Sequence, residues 1–170
     1  LWKADTRASV DQFNEWFISY APKAYRETRG LTVESVENGL LATEDFTAIT
    51  PEVIKRAPKI LPTLRMSTCP PIARDRLVGL ADSSKNLVAC LEEGKLPPQL
   101  SVQMLDEHLH RITKIISRLL DIDIFPWLAE LRRPTKEERY RSSTIIADRL
   151  CGAVADPIVR NAQEKRQLAL

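Results

Sequence analysis

An all-α fold, an irregular multi-helix domain, is what this sequence predicts. Three observations carry the prediction: only five glycines in 170 residues, apolar residues recurring at three- and four-residue steps, and no alternating β-branched run that would make a strand. A chain of this length with 44% apolar residues buries roughly two thirds of its unfolded surface, so a true core is expected and intrinsic disorder is not.

From Asp5 to Ala21, Val10, Phe13, Trp16, Phe17 and Tyr20 fall on one aromatic-rich helical stripe, which reads as core. Pro22 opens a second short helix through Tyr25, Gly30 ends it, and Thr32 caps a third that carries Val33, Val36, Leu40 and Leu41. Thr50 before Pro51 is a helix start, a hydroxyl cap and then an imino acid whose missing N–H costs nothing in the first turn. Pro58, Pro62, Pro70 and Pro71 punctuate the next segment, so Lys59 to Cys69 reads as a short-turned connector. Beyond Pro71 one longer helix is predicted through Arg74, Leu77, Leu80, Leu87 and Leu91, stopping at Gly94.

The clearest helix starts near Ser101, where Leu105, Leu109, Ile112, Ile116 and Leu119 recur at steps of 4, 3, 4 and 3. Arg111, Lys114 and Arg118 fall on nearly the opposite side and read as a solvated face. Phe125, Trp127 and Leu128 make a short apolar segment, and Thr135 with Glu138 forms a capping box for a last long helix. There Pro157 either kinks the helix or restarts it with Asp156 as the cap.

The formal charge of +2 is unevenly spread. Residues 1–54 carry net −4, residues 55–76 net +5, residues 77–131 net −3 and residues 132–170 net +4. Two separate basic stretches suit a phosphate-binding surface if they converge, with Arg74, Arg76 and Arg149 at its edge. The C-terminal run Arg160, Asn161, Gln163, Lys165 and Arg166 adds side chains that hold phosphates or bond base edges. The pattern DRLxG occurs twice, at 75–79 and 148–152, each copy in or beside a basic stretch, with the glycine offering a close approach for another backbone.

No apolar run approaches the ~20 residues of a membrane span. Cys69, Cys90 and Cys151 form an odd set without CxxC spacing, which fits a reducing cytoplasm better than a disulfide framework or a zinc site. The chain begins with Leu1 and ends at Leu170 in a helical run, as a fragment of something longer would. Catalytic templates largely fail. His108 and His110 diverge on a helix and read as surface residues, and no metal site is expected. Glu93-Gly94-Lys95 after Asp82 has a nuclease-like spelling but reads better as a helix C-terminus with a glycine stop.

The runs Leu61–Met66, Pro70–Asp82, Asp123–Leu128 and Ala147–Ile158, continuing as Arg160-Asn161-Ala162-Gln163-Glu164, resemble the XamI-type restriction endonucleases over almost the whole chain. The resemblance implies a bacterial type II endonuclease that cuts double-stranded DNA with Mg²⁺ at a short palindrome, with a homodimer as a possible form. In that family an Asp followed by Glu-Ala-Lys on neighbouring strands binds the metal C-terminal to the Asn-Ala-Gln-Glu segment. It therefore implies that this chain is the N-terminal helical part of a larger α/β nuclease, inactive alone, with a helical domain over 1–131 and a basic helical segment over 132–170 leading into a catalytic domain. Glu164 is the one residue it offers as an additional catalytic carboxylate. Two other readings compete: a non-enzymatic interaction module that presents the Leu105–Leu119 stripe to another chain, and a helix-turn-helix regulator, for which no convincing short turn and polar recognition face is found.

Overall fold

A computed structural model describes residues 2–169, which form α-helices, one 3-10 turn and no strand. In chain order the helices are α1 (Trp2–Ala42), α2 (Pro51–Arg56), α3 (Leu61–Met66), α4 (Arg74–Leu80), α5 (Lys85–Glu92), α6 (Val102–Leu119), α7 (Pro126–Glu130), α8 (Lys136–Gly152) and α9 (Ala155–Leu168). The all-α prediction holds, with a single antiparallel bridge between Thr68 and Leu120 as the extended pairing among the described residues.

The first 41 of these residues make one helix where the sequence predicts three. Pro22 lies inside α1 and deprives the Ile18 carbonyl of its donor, but both residues are exposed, so water replaces the lost bond. Gly30 is passed without a break because its neighbours are anchored: Tyr25 and Arg29 donate to the Asp148 carboxylate at 3.2 and 3.0 Å. The helix α8 runs antiparallel along this C-terminal part of α1, from Asp45 opposite Arg139 to Arg29 opposite Asp148. The N-terminal part has no such cover. Val10, Phe13, Phe17 and Tyr20 are about half exposed and only Trp16 is half buried, so most of the stripe read as core lies on the surface.

A left-handed turn ends α1. Glu44, Asp45 and Phe46 have φ of 50, 57 and 68°, a conformation that costs roughly 1–2 kcal/mol for each residue with a Cβ. Four interactions hold it. The buried Thr43 hydroxyl accepts from the Phe46 N–H, the Asp45 N–H donates to the Leu40 carbonyl at 2.8 Å, the Asp45 carbonyl accepts from Trp127 Nε1 at 2.9 Å, and the Asp45 carboxylate accepts two bonds from Arg139 at 3.0 and 3.1 Å. The turn drives Phe46 edge-on against Phe125, 4.9 Å between ring centres, and Phe125 packs in turn on Trp127 at 5.5 Å. Such tilted aromatic contacts add about 1 kcal/mol each beyond area burial.

The remaining elements obey local chemistry closely. Thr50 caps α2 and Pro51 opens it, as predicted. The predicted connector over 59–69 is instead a 3-10 turn, Pro58–Ile60, running into α3, because Pro58 and Pro62 both sit in first turns where no N–H is needed. The single helix predicted after Pro71 is two: Asp82 turns left-handed (φ 47°) and Ser84 recaps the chain by accepting from the Leu87 N–H. Gly94 ends α5 at φ 84°, and a Cβ there would lie 2.7 Å from Lys59 Cε. Ser101 caps α6, whose Leu105, Leu109, Ile112 and Ile116 are buried in the central core with Leu61, Leu64, Leu87 and Leu91. That stripe is therefore consumed within the chain, which removes the form of interaction module built on it.

Thr135 and Glu138 form the predicted capping box of α8. The helix breaks at Val154 and restarts as α9, with Pro157 in its first turn. Val154, not Asp156, holds the cap position, and no side chain bonds there; Asp156 lies inside the first turn, where a carboxylate still favours the positive helix end.

Within the left-handed turn Asp45 is ion-paired, to Arg139, whereas Glu44 makes no ion pair among the described residues. Replacing Glu44 by glycine is expected to raise unfolding free energy by about 0.5–1 kcal/mol in urea titrations, through relief of the Cβ clash less the added chain entropy. Asp45→Gly is expected to lower it by about 1 kcal/mol because the Arg139 pair is removed. Equal stabilisation by both would show that the pair does not hold the turn.

Candidate nucleic-acid interface

Internal bonds sort the basic residues. Arg74 Nε donates to Glu92 Oε2 at 2.8 Å, and Arg65 Nε donates to Oε1 of the same carboxylate at 2.6 Å. Glu92 is 5% exposed at its side chain and Arg65 13%, so this pair is largely sequestered from water, while Arg74 closes it from the exposed side. Arg65 also donates to the Ile72 carbonyl at 2.9 Å, fastening the segment between α3 and α4. From the other basic stretch, Arg149 donates to the Met66 carbonyl at 2.7 Å. Arg74 and Arg149 thus meet the same last turn of α3, one through Glu92 and Arg65 and the other directly. Arg76 is exposed, on α4, which packs on α5 and α6.

The outer helix α9 differs in kind. None of its residues is fully buried; Ile158, Val159 and Ala162 are half buried, and α1 is its main packing partner. The Arg166 guanidinium stacks 4.2 Å above the Tyr20 ring, a cation–π contact that docks the end of α9 on α1. Arg160, Asn161, Glu164 and Lys165 are exposed and Gln163 is half buried. On a 3.6-residue helix Arg160, Asn161 and Glu164 project from neighbouring positions on the outer side, with Glu164 one turn beyond Arg160. The structure thus gathers the α9 candidates on one helix and commits Arg74, Arg149 and Arg166 to internal contacts.

Glu164 belongs to no cluster of ligating side chains. Among the described residues, no group of three His, Cys, Asp or Glu is placed to hold a metal ion. The donor set of these residues does not fit a divalent cation.

Other charged features have structural roles that their sequence positions do not reveal. Arg111 belongs to no solvated stripe: its Nε donates to the Ala81 carbonyl at 2.8 Å and Nη2 to the Asp82 carbonyl at 3.1 Å, closing the end of α4. His108 is half buried rather than on the surface, with Nδ1 3.1 Å from Ser83 Oγ and 3.0 Å from Arg111 Nη2. The two DRLxG copies differ in use. Leu77 is buried and Leu150 half buried, Asp148 serves Tyr25 and Arg29, and a Cβ at Gly79 or Gly152 would meet nothing within 4 Å, so neither glycine marks a close approach. Burial, and after it the Asp148 charge, pushes the Tyr25 phenol up from its ordinary value.

A groove of about 1240 Å³ opens between the end of α1 and the start of α8. Its charges cancel in pairs. Arg132 forks onto Glu138 at 2.7 and 2.8 Å, and Arg139 onto Asp45. The Arg132 guanidinium, helped by the Thr135 N–H, holds the Glu138 carboxyl down to about 2. Arg133 and Lys136 also line it, against Glu37, Glu44 and Glu137, so the groove offers a polyanion no net attraction.

The geometry defines an all-helical protein whose outer helix α9 carries exposed cations and amides. Residues 44–170 match the XamI restriction endonuclease family, and the chain belongs to that family. Over 169 residues, 99% of the chain, it is 54% identical to the type II restriction enzyme SalI of Streptomyces albus G, and it spans 54% of that protein's length, about half. No solved structure matches the chain.

The Arg132–Glu138 fork fixes a pH response. The folded-state value of Glu138 lies below its ordinary 4.5, so its stabilisation is complete above that value and disappears as pH falls towards about 2. Urea titrations at successive pH values are expected to show a steeper fall in stability over this window in the native chain than in Glu138→Gln. Parallel curves would mean that the fork contributes nothing.

Proposed function

We propose that this chain supplies DNA contacts to a bacterial, cytoplasmic type II endonuclease that cleaves double-stranded DNA at a short palindromic site with Mg²⁺. In this reading the metal-holding carboxylates come from the part of the enzyme that these residues do not include. Residues 1–131 form the supporting helical domain and residues 132–170 the basic segment leading to the catalytic domain, with Glu164 an additional carboxylate at its approach. Family membership and the similarity to SalI support the reaction class.

The observation that carries the DNA contact is α9, where Arg160, Asn161 and Lys165 are exposed on the outer side of the helix, while Arg149 before them and Arg166 after them are anchored. Arg160 and Lys165, with Arg76 on α4, neutralise phosphates, and Asn161 and Gln163 contact base edges. Arg74, Arg149 and Arg166 keep spare N–H groups for the backbone while holding α3 and α9 in place. A type II enzyme acting on a palindrome would present these groups twice.

Fluorescence anisotropy with a short duplex measures this directly. Affinity is expected to fall steeply with salt, and Arg160→Glu or Lys165→Glu to weaken binding to all sequences and flatten the logarithmic salt slope by about 0.9 for each phosphate no longer neutralised. Asn161→Ala is expected to change preference among sequences with little change in slope. Unchanged binding in both charge reversals would remove α9 from the interface.

A further inference from the structure

Residues 108–120 hold Arg111, Lys114 and Arg118 without an Asp or Glu among them, although the region 77–131 around them is net negative. The fold gives that basic run a hollow to act in. Where α2 packs on α6, an open pocket of about 430 Å³ is lined by Ile49, Thr50 and Pro51 from one side and by Arg111, Lys114 and Ser117 from the other. No carboxylate is among its described lining residues.

Four donors in this pocket are unused. Arg111 gives Nε to the Ala81 carbonyl at 2.8 Å and Nη2 to the Asp82 carbonyl at 3.1 Å and to His108 Nδ1 at 3.0 Å, which fixes the guanidinium and leaves Nη1 without a partner among the described residues. Lys114 and Ser117 are exposed and make no side-chain bond among those residues. The Thr50 hydroxyl accepts from the Val53 N–H at 3.3 Å and keeps its own proton to donate. One turn away, the Asp106 carboxylate is occupied by Lys55 at 2.8 Å and by His110 Nε2 at 3.4 Å, so it does not cancel the charge of the pocket.

We propose that this pocket is a phosphate subsite for a DNA backbone, separate from α9. Lys114 and Arg111 Nη1 hold one phosphodiester, the Thr50 and Ser117 hydroxyls complete its shell, and Ile49 and Pro51 receive the neighbouring deoxyribose. The assignment rests on the reading that this chain contacts duplex DNA.

Shape and charge favour a strand over a free anion. An open pocket with one apolar side leaves a small hydrated ion mostly in water, whereas a strand presents an apolar sugar beside every charge. Exposed Arg118 follows Lys114 one turn later, about 6 Å along the helix axis, so the cations continue in a line as the phosphates of a strand do. Because Arg111 is already fixed by its own bonds, binding orders one side chain fewer.

Fluorescence anisotropy of the chain with a short duplex, repeated over a range of salt concentrations, tests this. Lys114→Gln is expected to raise the dissociation constant about 5–10-fold and to flatten the logarithmic salt slope by about 0.9, the loss of one neutralised phosphate. Lys114→Arg is expected to restore both, and Ser117→Glu, which puts a carboxylate into the pocket, to weaken binding further. Lys136→Gln, the same charge change at an exposed residue of the charge-balanced groove, is expected to alter neither quantity. Inorganic phosphate, with ionic strength matched by chloride, is expected not to displace the duplex. An unchanged slope in Lys114→Gln, in a chain whose binding still responds to Arg160→Glu, would overturn the subsite alone, as would an equal effect of Lys136→Gln. Displacement by inorganic phosphate that Lys114→Gln abolishes would overturn the DNA occupant in favour of the free ion. A chain that binds no duplex at low salt would overturn the reading of DNA contact and this subsite with it.

Discussion

Three consecutive residues in a left-handed conformation, Glu44 to Phe46, determine how this fold is assembled. None is glycine, so the turn exists only because its surroundings over-determine it. Asp45 is the point of convergence: its amide closes α1, its carbonyl receives Trp127 and its carboxylate receives Arg139. One residue thereby fixes the end of a 41-residue helix against α7 and the beginning of α8. The antiparallel α1–α8 pair depends on it, and with that pair the position of α9, which has α1 as its main support.

Arginine does most of the remaining fastening. Arg65, Arg111, Arg132, Arg139 and Arg149 all donate across elements or to helix ends, where their forked donors meet carboxylates or unpaired carbonyls. Glu92 between Arg65 and Arg74 is the most enclosed of these junctions. Removing one partner of such a buried group costs more than the pair contributes, because the remaining charge stays desolvated. The same division separates structural from available charge: cations that close helices are fixed, and Arg160 and Lys165 on the outer side of α9 are exposed.

The features legible in the sequence were mainly local. Thr50, Ser101 and the Thr135–Glu138 box announce helix starts because a cap acts within three residues. The Leu105–Ile116 stripe announces the core face because its period is that of the helix. Breakers misled where their surroundings overrode them: Pro22 lies on an exposed side of α1 where water replaces its lost bond, and Gly30 is carried through by contacts with α8 more than a hundred residues away. The left-handed turn had no signal, since Glu, Asp and Phe all lack the freedom of glycine. Among candidate site residues, the basic and amide side chains of α9 could be picked out from composition. That Arg74, Arg149 and Arg166 are anchored while Arg160 and Lys165 stand clear depends on partners distant in sequence, such as Glu92, Met66 and Tyr20. The aromatic stripe of α1 illustrates the same limit, because periodicity identifies an apolar face without saying whether this chain covers it.

A helix without a fully buried residue opens locally more readily than the core, so contact with DNA should register in its backbone amides. Amide hydrogen exchange of the chain with and without a short duplex therefore tests the role of α9 most directly. Slower exchange across Ala155–Leu168 in the presence of DNA, with the exposed start of α1 and the charge-balanced groove by Arg132 unchanged, is the expected result. Protection confined to that groove or to the α1 aromatic face, with α9 unaffected, would contradict it.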